Sequence, residues 1–231
     1  MMNFMDAIGE VRRVDRDEDK RGSRLIVTLD GPAASGKSSA ARRVAEMLDV
    51  PFVSSGLLYR AATHLVLEHG VDPADEAAVL ASLDRHDVEL VALRGMPDRI
   101  LLDGQDISAQ LHTTSVDANV SAVAQHPGVR AWVNARLREI RGPFVIEGRD
   151  MGSAVFPNAA HKFYLSAPAE VRAARRVSER DMSLQEVTAA LKLRDARDAK
   201  QLAPAPDAVH IETQDLTLED VVAAVVNRVR A

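Results

Sequence analysis

The residues with the most chemistry to offer are Gly31-Pro32-Ala33-Ala34-Ser35-Gly36-Lys37-Ser38, which satisfy the spacing G-x-x-x-x-G-K-[ST]. Gly31 permits a sharp exit from a strand, and Gly36 lets successive backbone N–H groups close around phosphate oxygens. A helix opening just beyond points its positive end at the same anion. Lys37 would then reach the β and γ oxygens of a nucleoside triphosphate, and the Ser38 hydroxyl would meet Mg²⁺. Switches, motors and small-molecule kinases all use such a loop, so it predicts triphosphate binding and nothing finer. The chain has no guanine-reading Asn-Lys-x-Asp tetrapeptide, which argues against a GTPase switch.

Three further polar groups each bear charge that could handle phosphate. Ser54-Ser55-Gly56-Leu57-Leu58-Tyr59-Arg60 follows a short apolar run and reads as a helix start with an arginine one turn on. It fits a second anion site, and equally an ordinary N-cap with a surface arginine. Phe144-Val145-Ile146 ends in Glu147, then Gly148-Arg149-Asp150-Met151-Gly152. Glu147 stands where a carboxylate could hold Mg²⁺ through its waters, and Arg149 and Asp150 could clamp an anion and accept from a base or sugar. A structural Arg-Asp pair is the alternative. In Arg194-Asp195-Ala196-Arg197-Asp198-Ala199-Lys200, residues 194, 197 and 198 share a helical face. Arg172, Arg175, Arg176 and Arg180 precede them. Such a face is solvated in most proteins, but in a phosphoryl-transfer enzyme it would close over the transferring group and exclude water.

These groups need elements to hold them. Continuous apolar runs at 25–29, 51–53, 144–146, 161–165 and 209–211 read as strands covered on both faces, and helical patterns alternate with them. That alternation predicts an α/β fold with a mainly parallel sheet. Residues 88–107 read instead as a small antiparallel hairpin, an insert facing the substrate. Residues 1–23 carry six acids and five bases and read as a charged, disordered tail before one domain over 24–231. The 231 residues include no cysteine, which removes disulfides, thiolate-bound zinc and a cysteine nucleophile. A net charge of −5 argues against nucleic acid as partner. No apolar run is long enough for a membrane helix, and the mixed-sign N-terminus lacks a signal peptide's apolar stretch, so a cytoplasmic protein is expected.

Taken together, LIVTLDGPAASGKSS, SSGLLYR, LLDGQDIS, VSAVAQHPGVRAW, IEGRDMGSAVFPNA and LRDARD closely resemble bacterial cytidylate kinases, a branch of the nucleoside monophosphate kinases. The resemblance covers about residues 24–231. It implies a P-loop nucleoside monophosphate kinase fold: a five-stranded parallel core, a monophosphate-binding insert at about 57–141 and a helical lid at about 177–200. It implies ATP as donor at residues 31–39 (Gly31 to Ser39), Mg²⁺ at Ser38 and, through water, Glu147, and CMP or dCMP as acceptor. Ser55, Gly56, Tyr59, Arg60, Arg149 and Asp150 would face the monophosphate, with Arg60 and Arg149 on its phosphate. Ser121, Arg130 and Asp150 would read the cytosine, and Arg194 and Asp198 would reach sugar and phosphates from the lid. Lys37, Arg149, Arg194 and Asp198 are the expected catalytic set, in a monomer. Other acceptors sharing the core, UMP or shikimate, are the nearest alternatives, and a nucleotide-dependent regulatory module a more distant one. Three places depart from the family pattern: Leu111-His112-Thr113 stands where an arginine is common, the family's second lid arginine aligns with Lys200 only if one residue is deleted before it, and Ser39 replaces a threonine.

Overall fold

The computed structural model describes residues 25–177 and 183–231; the tail at 1–23, Arg180 and part of the expected lid lie outside the described residues. The chain begins with β1 (Ile26–Asp30), α1 (Lys37–Leu48), β2 (Phe52–Ser54), α2 (Ser55–Glu68) and α3 (Glu76–Leu83). Three short strands follow: β3 (Val88–Val91), β4 (Arg99–Leu102) and β5 (Gln105–Asp106). Next come α4 (Thr114–Val123), α5 (Pro127–Glu139), β6 (Phe144–Gly148), one π turn (Met151–Val155) and β7 (His161–Ser166). The chain ends with α6 (Ala169–Val177), α7 (Leu184–Arg197), β8 (Val209–Glu212) and α8 (Leu218–Arg230).

Strands β2, β6, β1, β7 and β8 form, in that order, one five-stranded parallel sheet. Its apolar runs are continuous because both faces are covered. In β6, Phe144 and Ile146 pack with Leu58, Trp132 and Leu137 from α2 and α5, whereas Val145 between them packs with Val44 and Val225 from α1 and α8. Among the described residues, no helix is long and apolar enough to cross a membrane.

The register brings strand ends level where the site forms. Ser54 of β2 pairs with Glu147 of β6, and Gly148 of β6 pairs with Asp30 of β1. Ligands of open α/β sheets bind beyond this carboxyl edge.

The expected hairpin is a three-stranded sheet, β3-β4-β5. Asp103 and Gly104 both have positive φ, 50° and 82°, so they form a tight turn that folds Gln105–Asp106 back onto β4. Helix α7 stops at Arg197, with Asp198 at its C-cap and Lys200 in the following turn.

Candidate active site

Local backbone needs shape the loop after β1. A Cβ on Gly31 would lie 2.2 Å from the Leu165 carbonyl oxygen, and its φ is +151°, so the close pass of the loop against β7 excludes a side chain. Gly36, at φ 87°, opens α1 as its N-cap. Pro32, Ala33 and Ser35 turn inward and are buried, whereas Gly36, Ser38 and Ser39 are exposed. The loop is also tied from behind: the buried Arg172 donates to the Ala33 carbonyl oxygen at 2.9 Å and pairs with Asp195 of α7 at 2.5 Å. Ala33 packs with Ala173, Val187 and Leu191 of the α6–α7 pair.

A cleft of about 870 Å³ opens over this loop. Ala33, Ala34, Gly36, Lys37, Ser38 and Ser39 form its floor. Seven cationic side chains line it: Lys37, Arg42, Arg60, Arg149, Arg175, Arg176 and Arg194, against the carboxylates of Asp98 and Glu147. In a chain of net charge −5, so lopsided a lining marks the cleft as an anion site.

Lys37 extends along the loop, its Nζ 3.4 Å from the Pro32 carbonyl oxygen and 3.6 Å from Glu147 Oε2. Burial holds the ammonium pKa below its ordinary value, and Glu147 opposes that shift. Glu147 is in turn steadied by the Ser54 hydroxyl, which donates to Oε1 at 2.7 Å. Ser54 is the N-cap of α2, yet its side chain makes no cap bond, because its hydroxyl is committed to Glu147. The Ser54 N–H donates to Asp98 at 2.7 Å, and burial pushes that carboxyl up.

The expected acceptor-side residues fall into two adjoining sets. Gly56, Arg60, Arg149 and Arg194 line the cleft, and Ser55 is buried beside Gly56. Arg60 donates to the Leu111 carbonyl oxygen at 2.8 Å and to Asp117 at 2.6 Å. Arg149 lies 3.1 Å from Asp198 and donates to the Gly31 carbonyl oxygen at 3.4 Å. The Arg194 Nε is 3.8 Å from the same Asp198 oxygen, beyond hydrogen-bond length. Burial, and then the charge of Arg149, push the Arg194 guanidinium down to about 10, so it keeps its charge at neutral pH.

The second set surrounds the pair of the half-buried Arg130 and the buried Asp150, joined at 2.5 Å. Arg130 lies over the ring of Tyr59, 5.8 Å from its centroid. The Tyr59 hydroxyl is buried without a hydrogen-bond partner, and burial pushes it up to about 12. Ser121 sits half-buried on α4, away from the cleft lining. Arg149 and Asp150, adjacent in sequence, join the two sets.

Several lining residues escaped the sequence reading. Arg42 belongs to α1, where it lies over the Phe52 ring, and nothing in its spacing singles it out. Asp98 follows Gly95-Met96-Pro97, legible only as a turn, and its partner Ser54 lies 44 residues away. His112 reaches the cleft from the segment that departs from the family pattern. The arginines of α6 divide: Arg172 is structural, whereas Arg175 and Arg176 line the cleft. A smaller hollow of about 220 Å³ adjoins the loop at Ser35, Gly36 and Ser39, walled by Leu165, Arg175 and Val221. Arg175 is held there by Thr213, to whose Oγ1 it donates at 3.0 Å and to whose carbonyl oxygen it also donates.

Comparison with known proteins gives a consistent set of similarities. Residues 27–231 match the family model described as "Cytidylate kinase". The chain is 58% identical over 207 residues to the cytidylate kinase of Thermus thermophilus, covering 90% of this chain and 99% of that protein. It is 52% identical over 204 residues to the cytidylate kinase of Deinococcus deserti, covering 88% and 98%. Among solved structures, a shikimate kinase from Bacteroides thetaiotaomicron is similar with a TM-score of 0.47 at 13% identity, covering 90% of this chain and 97% of that one.

Proposed function

Because the chain belongs to the cytidylate kinase family, we propose that it transfers the γ-phosphoryl group of ATP to CMP and dCMP, releasing ADP and the corresponding diphosphates. The observation that carries this reading is the cleft itself, in which a P-loop lysine and the acceptor-side arginines Arg60 and Arg149 face one space lined by seven cations.

The acceptor is already an anion, so no general base is required, and catalysis consists of positioning and charge stabilisation. In this reading the loop 31–39 cradles the triphosphate, and the smaller hollow beside Arg175 takes the donor's base. Arg60 and Arg149 exchange the carboxylates of Asp117 and Asp198 for the acceptor phosphate. Such a phosphate presents more oxygens to a guanidinium fork than one carboxylate does. Arg130 orients Asp150 so that its carboxylate accepts from the cytosine amino group, with Ser121 and Tyr59 completing that subsite. Arg194, only loosely paired with Asp198, meets charge building on the transferred group.

Ser38 and Glu147 line the same cleft and offer hard oxygen donors suited to Mg²⁺. Among the described residues there is no group of three His, Cys, Asp or Glu that could hold a metal ion. When bound, Mg²⁺ would neutralise phosphate charge. The proposal includes a monomer acting on free nucleotides in the cytoplasm, and the net charge of −5 supports small nucleotides over nucleic acid.

ADP release measured against CMP, dCMP, UMP, other monophosphates and shikimate tests the assignment. CMP and dCMP should be turned over with kcat/KM about 10²-fold or more above UMP, since uracil places a carbonyl where Asp150 needs a donor. Asp150→Ala should collapse that ratio; turnover favouring UMP or shikimate would overturn the reading.

A further inference from the structure

We propose that Asp30 is a positioning residue for the acceptor, its carboxylate holding the backbone that presents Arg149 to the cleft and Asp150 to Arg130. The inference rests on the acceptor-contact reading of those two residues. Asp30 ends β1 and pairs across the sheet with Gly148, the residue just before Arg149. Its side chain then reaches past the dipeptide: Oδ1 accepts from the Met151 N–H at 2.8 Å and Oδ2 from the Gly152 N–H at 2.7 Å. One residue therefore pins Arg149-Asp150 at both ends, through its backbone on one side and its carboxylate on the other.

The packing leaves this segment little latitude. A Cβ on Gly152 would lie 2.7 Å from the Thr28 hydroxyl oxygen and 3.3 Å from Asp30 Oδ2. Beyond the clamp, the Val155 N–H donates to the Asp150 carbonyl oxygen at 3.3 Å and the Phe156 N–H to the Met151 carbonyl oxygen at 2.7 Å, which makes the π turn.

Only an ionised carboxylate offers two acceptor oxygens at this spacing; an amide would set its NH₂ against one of the N–H groups. The carboxylate is kept at a cost. Burial pushes Asp30 up to about 6, with Asp150 and Glu147 adding to the rise and the two N–H bonds opposing it. A buried acid flanked by two others is a poor choice for filling space, and a good one for fixing two backbone donors.

The rival role is that Asp30, directly before Gly31, merely shapes the donor loop. Steady-state kinetics, ATP equilibrium binding and thermal melting of Asp30→Asn separate the two, with Arg149→Ala as reference. The clamp predicts a CMP KM raised about tenfold or more with ATP affinity within about twofold, because displacing a positioned group by about 1 Å weakens every contact it makes. Gly152→Ala, whose methyl presses on Thr28 and Asp30 and pushes the same segment outward while the Asp30 carboxylate is kept, should give the same split and carries the test if Asp30→Asn does not fold. CMP KM within about twofold of the parent, or parallel losses for CMP and ATP, would overturn the clamp. If Arg149→Ala itself leaves CMP KM unchanged, the acceptor reading fails and the clamp falls with it; if Arg149→Ala raises it and neither loop variant does, only the clamp falls.

Discussion

Lys37 is the side chain on which turnover should depend most steeply. Its ammonium lies close to Glu147 and the Pro32 carbonyl oxygen, at the floor of the cleft and outside both apolar cores. Removing it deletes a charge that faces the triphosphate and leaves no buried apolar gap. Lys37→Ala should therefore lower kcat about 10²-fold or more while the melting temperature stays close to the parent's, since preorganised electrostatic contacts commonly supply at least that much. Turnover within about tenfold of the parent would remove Lys37 from the phosphate cradle. The motif made this residue visible because a P-loop is contiguous: every group that touches phosphate lies within a few positions of the next. Asp98 and Arg42 share the same cleft but reach it through the fold, from a turn and from the flank of α1.

At the scale of elements, α7 brings Arg194 over the cleft, and the donor loop seats α7 through Arg172 and Asp195. Arg194 is held about as far from Asp198 as an ion pair reaches, so its charge is available to a bound phosphate. A contact made chiefly in the transition state lowers kcat and kcat/KM together when lost, whereas a ground-state contact raises KM alone. Arg194→Ala should thus cut kcat strongly with little loss of ATP affinity, and Lys200→Ala, in an exposed turn beyond the helix, should cost less. A change confined to the CMP KM would assign Arg194 to substrate binding only. Elements were legible where burial was two-sided, as in β6, whose unbroken Phe144-Val145-Ile146 run serves two cores at once. The strand Gln105–Asp106 was not, being polar, exposed and only two residues long. The π turn after Asp150 was equally silent, since a carboxylate 121 residues earlier organises it.

For the whole molecule, the cost of Asp30 should appear in the pH dependence of stability. Its folded pKa, about 6, lies above the ordinary 3.8, so the folded state holds the proton more tightly than the unfolded chain does. Stability from this group is therefore fully present below about pH 4 and lost as pH rises through about 6. The difference corresponds to roughly 3 kcal/mol at neutral pH. Denaturant unfolding at pH 4 and pH 7 should show a decline in the parent that Asp30→Asn lacks. Asp98 shifts in the same sense and the exposed Asp103, Asp106 and Asp207 in the other, so the comparison between parent and variant isolates Asp30. An identical pH response in the two proteins would place the shift elsewhere.

The concentration of seven cations in one cleft of a net-negative chain also bears on how quickly substrate is found. The local field of those cations draws small anions inward. Association of ATP and CMP should slow as added salt shortens the Debye length toward the roughly 8 Å of physiological solution, even though no contact in the bound state has changed.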